Sequence, residues 1–191
     1  MRYQDFRENI RNGDILLFSG KRWWSRVIRR WTVSPYSHVG IAHWIKSDGV
    51  ERLTVIEALE GVGIVVNPLS QYLKLGETVD WFAITDERVN RDKVVSWAMA
   101  RWGFPYASWR QIARSFIIHR FLWLKRIYNW LGVPTKIDRD RYFCSWVVAE
   151  SLKNGGWEPD TDDGAQDPYC VSPGEIALFT CLQRRGRLVW E

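Results

Sequence analysis

Three residues of this chain have types and settings suited to nucleophilic chemistry. Cys144 lies in "RYFCSWVVAESLKNGG" (141–156), a stretch of helical period stopped by Asn-Gly-Gly. A free thiol titrates near ~8.5, and only the thiolate attacks or binds. A helix N-terminus and a nearby imidazolium both favour that thiolate. Asp138 or Asp140 could cap this helix, which would set Cys144 in its first turn. Val147, Val148 and Ser151 share the cysteine's face, so that face turns inward. The plainer reading is a small buried hydrophobe, because free cysteine is usually inert.

A nucleophile needs a base, and the chain has three histidines: His38, His43 and His119. His38 sits in "YSHVGIA", a strand-like run. His43 is five residues on and points to the other face of a regular strand. The two make no zinc pair, and no Cys-x-x-Cys accompanies them, so neither metal nor cofactor is expected. An orienter for the imidazole is Glu57, a carboxylate inside the apolar run "VIEAL". If Asp48-Gly49 centres a hairpin turn, His38 falls opposite Leu59 and Glu57 becomes its same-face diagonal neighbour. A slip by one residue would separate them. Glu51 and Glu60 are the alternatives, both nearer turns. Cys144, His38 and Glu57 then follow the nucleophile, base and orienter logic of thiol hydrolases.

The elements that must position these residues can be read from period and punctuation. "GDILLFSG" (13–20), "YSHVGIAHWI" (36–45), "ERLTVIEALEG" (51–61), "GVGIVVNPL" (61–69) and "TVDWFAITD" (78–86) read as strands. "KRWWSRVIRRWT" (21–32) suggests a short basic helix. "NRDKVVSWAMARWGF" (90–104) turns to helical spacing, with Asn90 as N-cap and Gly103 past its end. A helical segment runs from about Trp109 to Leu131, and the C-terminal "EIALFTCLQRRGRLVWE" reads as two strands around Arg-Arg-Gly. Strands, then helices, then strands predict an α+β fold with an antiparallel sheet.

The 191 residues suit one domain, spanning 1–191. Thirteen Trp are far above ordinary usage and imply a groove, an interface or a membrane surface. A net charge of +5 favours anionic partners without a nucleic-acid signature. "KRWWSRVIRRW" mixes bases and aromatics as a single-strand binder would, though the same residues could edge an anionic groove. Cys144, Cys170 and Cys181 form no disulfide framework, which favours a reducing cytoplasm. No window reaches the ~18 apolar residues of a spanning helix.

The segments "GDILLF", "SPYSHVGIA", "VIEALEGVGIVVNPL", "WGFPYA", "YFCSWVVAE" and "VSPGEIALF" occur in an order that resembles a known family. It is the circularly permuted branch of the NlpC-type papain-like superfamily, the YiiX- and YaeF-like amidase-type proteins. The resemblance covers about residues 12–180. It implies a permuted papain-like fold, an antiparallel sheet packed against the nucleophile helix, with His38, Glu57 and Cys144 as triad. Many relatives carry an acidic residue two after the cysteine, where this chain has Trp146. The stretch between Tyr106 and Cys144 is long, which marks a helical insertion at about 108–133.

The implied activity is cleavage of an amide bond through an acyl-enzyme on Cys144, with His38 as base and Glu57 as orienter. Alternatives are a lipid ester or thioester thiol hydrolase or acyltransferase, and a catalytically silent binding module. Tyr36, Ser37, Tyr106 and Trp24 are candidate substrate contacts. The expected partners are a peptide, amide or acyl-lipid substrate and not nucleic acid. Segment 108–133, basic on one side and Trp-rich on the other, would give peripheral contact with an anionic membrane.

Overall fold

A computed structural model of the chain describes residues 1–20, 34–108, 111–112, 140–158, 168 and 171–190. The segment at 108–133 and the basic run at 21–32 therefore lie almost wholly outside the described residues. The fold is α+β. Among the described residues six strands form one antiparallel sheet in the order β4-β3-β2-β1-β5-β6: β1 (Ile15–Phe18), β2 (His38–Ser47), β3 (Val50–Leu59), β4 (Gly63–Pro68), β5 (Val79–Ile84) and β6 (Leu182–Leu188).

Strands β2 and β3 form the expected hairpin. Ser47 pairs with Val50 and Ile41 with Ile56. Asp48 and Gly49 both have positive φ, 50° and 75°, the conformation a two-residue hairpin turn demands. Strand β1 is buried throughout and sits centrally between β2 and β5.

Helix α1 (Tyr3–Phe6) and helix α2 (Leu69–Lys74) lie on one side with Leu16, Ala42, Val55 and Trp81. Helices α3 (Arg91–Met99) and α4 (Cys144–Asn154) lie on the other with Ile15, Val39, Ile56 and Phe82. Asn90 caps α3 as expected, its side chain accepting from Lys93 N–H. Among the described residues no helix is long and apolar enough to cross a membrane.

Two local expectations fail. Helix α4 begins at Cys144 itself, and its N-cap is Phe143, which offers no side-chain bond. An aspartate cap at Asp140 would have started the helix earlier, but Tyr142 there is bridged to Tyr106 in extended pairing. Toward the C-terminus, the first of the two expected strands is replaced by a short helix, α5 (Pro173–Ile176). A reciprocal capping box between Ser172 and Glu175, with proline at the start, fixes that turn. Arg-Arg-Gly does not break the second strand. Arg184 and Arg187 instead hold β6 to Asp80 of β5.

Candidate functional site

Cys144, His38 and Glu57 come together at one end of the sheet. Cys144 is the first residue of α4 and 7% exposed, so its sulfur sits where the helix dipole is positive. Helix α4 packs on β2 and β3, which brings its first turn to the start of β2. His38 is the first residue of β2, and its ring lies near enough to the cysteine for the two to influence each other electrostatically. Glu57, on β3 and 1% exposed, takes His38 Nε2 on Oε2 at 2.6 Å. Nε2 is thereby occupied, leaving Nδ1 as the ring nitrogen available to the sulfur.

Electrostatics hold His38 and Glu57 in their charged forms. Burial opposes a proton on His38. Interaction with Cys144 and with the Glu57 carboxylate outweighs that cost, and the imidazole is pushed up to about 10. Burial also opposes charge on Glu57, but hydrogen bonding and attraction from His38, with further bonds from Tyr72 and Asn67, keep its carboxyl below the usual range.

Tyr72 and Asn67 were not singled out in the sequence. Asn67 Nδ2 donates to Glu57 Oε1 at 3.1 Å, and the Tyr72 hydroxyl donates to the same oxygen. The signal for Asn67 was a polar residue two places beyond the partner of Glu57, on the same face. Nothing local marks Tyr72, because it arrives on a separate helix.

Tyr106 stands beside the site. Burial, then the charges of Cys144 and Glu60, raise its phenol well above its ordinary value, so it is a neutral hydroxyl. A Cβ at Gly63 (φ 106°) would collide with the Phe104 carbonyl, so glycine there lets this wall approach β4. Tyr36 donates to Asp80 at 2.8 Å, and Ser37 Oγ accepts from Gly20 N–H at 3.1 Å. Trp24 lies outside the described residues. Glu51 pairs with Lys46 in the hairpin's far end. Burial lowers the pKa of His43, whose Nδ1 is buried without a partner among the described residues. Among the described residues, no group of three or more His, Cys, Asp or Glu is arranged to hold a metal.

No family model matches the chain, and no curated protein matches it. Its fold does have a solved counterpart. The crystal structure of the metalloprotein yiiX from Escherichia coli O157:H7, DUF1105, superposes with a TM-score of 0.59. The match covers 93% of this chain and 97% of that one, at 19% identity. Likeness at that identity shows the fold.

The yiiX comparison corrects the functional expectation. That protein is described as a metalloprotein, which overturns assignment of this chain to the NlpC-type cysteine amidases. The acyl-enzyme on Cys144 falls with it, as do the lipid-hydrolase and silent-module alternatives. The physical reason is an ambiguity of side chains. Thiolate and imidazole, with a carboxylate behind the imidazole, make a nucleophile and its base, but they are equally donors for a metal.

Proposed function

We propose that this chain binds a soft or borderline transition-metal ion at Cys144 and His38. One observation carries the reading: the row in which buried Glu57 holds one ring nitrogen of the partly buried His38 while the ring faces Cys144. A metal-bound histidine ordinarily passes its other N–H to a carboxylate or carbonyl. Thiolate and imidazole are the donors preferred by zinc and copper(I). The description of yiiX as a metalloprotein supports the class of ligand.

The donor set among the described residues is smaller than that of either kind of zinc site, since an open catalytic site keeps three protein ligands. Glu57 is spent on His38, Asn67 and Tyr72 and is not a ligand. A closed structural zinc site takes four protein ligands, and the described residues supply two here. Small exogenous ligands would complete the ion's coordination, and the neutral Tyr106 hydroxyl near Cys144 would be available as a hydrogen-bond donor. The ion, when bound, would supply Lewis acidity. The chain's part is to hold the thiolate and aim the ring.

We further read the chain order, hairpin first and Cys144 helix after it, as a permuted papain-like core turned to metal binding. A reducing cytoplasm keeps such a thiol free, and contact of 108–133 with an anionic membrane is part of the same reading.

The test is a titration of the reduced, metal-free chain with Cd²⁺ and Co²⁺, read by thiolate-to-metal charge-transfer absorption and by calorimetry. One ion per chain is expected. Cys144→Ser should abolish the band and His38→Gln should weaken binding. Cys181→Ser should leave both unchanged, since burial pushes that thiol up to about 12. A band that survives in Cys144→Ser rejects the site.

A further inference from the structure

Glu57 is held from three directions, and the sheet register explains how. Extending the β2–β3 pairing sets His38 opposite Leu59, so Glu57 is its diagonal neighbour. Glu57 pairs with Val65 of β4, and Asn67 lies two residues on, diagonal again. Three adjacent strands thus present His38, Glu57 and Asn67 as one row on one face. Tyr72 from α2 closes the row.

The hydrogen bonds leave no freedom of assignment. Asn67 Nδ2 gives one proton to Glu57 Oε1 and the other to the Tyr72 hydroxyl oxygen, at 3.1 and 3.2 Å. Tyr72 then donates its own proton to Oε1. Oε2 is left for His38 alone. Phe18 fills the space between the rings, its centroid 5.3 Å from His38 and 5.2 Å from Tyr72. A free glutamate would have three side-chain torsions to sample. This one has both oxygens fixed.

We infer that Asn67 and Tyr72 are positioning residues. They lock the Glu57 carboxylate, and through it the His38 ring, so that the ring presents one nitrogen to Cys144. The ligand that benefits rests on the metal reading above; the lock itself does not.

The experiment uses the full chain in four forms: wild type, Tyr72→Phe, Asn67→Ala and Leu69→Val. Leu69 is buried in the same helix and touches none of the row's hydrogen bonds, so it reports generic loosening. Tyr72→Phe keeps the ring against Phe18 and removes only the hydroxyl. Two readouts are taken. In metal-free ¹⁵N-labelled protein, the proton on His38 Nε2 should give a downfield, slowly exchanging NMR resonance in wild type and Leu69→Val. It should broaden or vanish in Tyr72→Phe and Asn67→Ala. By calorimetry, Cd²⁺ affinity should fall roughly 10–100-fold in those two variants, the usual consequence of losing outer-shell partners, and hold in Leu69→Val.

An unchanged resonance in both row variants overturns the inference. So does its absence in wild type, or an equal loss in Leu69→Val. If wild type binds no Cd²⁺ while the resonance still depends on Tyr72 and Asn67, the metal reading fails and the positioning role stands.

Discussion

At the scale of residues, a proton sits where a metal would have to go. His38 is pushed up to about 10 against its own burial, so the imidazole is cationic at neutral pH. In an NMR titration of the metal-free chain, the ring should deprotonate with a midpoint near pH 10. Cys144→Ala should bring that midpoint down, because burial is then opposed by Glu57 alone. A midpoint indifferent to Cys144 would mean the sulfur and ring do not interact. Metal binding must displace this proton, so Cd²⁺ affinity should fall as pH falls, with a calorimetric enthalpy that varies with the buffer's own ionisation heat. The His38–Glu57 pair was legible in the sequence. Asp-Gly announces a two-residue turn, the turn fixes register, and register fixes which residues are diagonal. Asn67 and Tyr72 were not legible, because one depends on a second register and the other on where a helix docks.

At the scale of elements, one buried carboxylate ties three of them together. Asp14, just before β1, is 1% exposed. It accepts from Trp81 Nε1 at 2.9 Å and Ile84 N–H at 3.1 Å on β5, and from Arg91 Nη1 at 2.6 Å on α3. Asp14→Ala leaves the Trp81 and Ile84 donors without this acceptor and a partly buried guanidinium without its counterion, held only by the Asn12 and Ile84 carbonyls. The expected loss is about 3–5 kcal/mol, measured by urea unfolding. Asn90→Ala removes only the α3 cap and should cost about 1 kcal/mol. Equal losses in the two variants would show that Asp14 is not the tie described. Local chemistry made the Asn90 cap readable, since acceptor and donor lie three residues apart. Besides the local Arg11 N–H, the partners of Asp14 are 67 to 77 residues away in sequence, and nothing in the neighbourhood of Asp14 announces them. The same distance hid the fate of Arg-Arg-Gly, whose arginines continue a strand because Asp80 lies opposite.

At the scale of the whole molecule, buried carboxylates set how the fold meets acid. Burial works against charge on Asp80, but hydrogen bonds from Arg187 and Tyr36 and attraction from Arg184 and Arg187 hold its carboxyl below its ordinary value. A carboxyl depressed in the folded state stabilises above its unfolded pKa and loses that contribution as pH falls through the folded one. Glu57 is depressed in the same sense. The melting temperature should therefore fall progressively below about pH 4, and fall again as pH rises from about 6.5 toward 10, where the proton that folded His38 retains is lost. Asp80→Asn should melt lower at neutral pH but lose less on acidification; a parallel acid limb would remove Asp80 as a contributor. What the sequence by itself determined was whatever depends on near neighbours: the strand and helix periods, the Asp-Gly turn, the Asn90 cap, the α+β class, and His38 beside Glu57. Only the tertiary structure decided how Cys144 reaches that pair. A helix packed across β2 and β3 brings together residues more than 100 positions apart, and no local rule covers that distance. It also decided that Tyr36 serves Asp80 and that Asn67 and Tyr72 serve Glu57, because those choices follow from which surfaces bury one another.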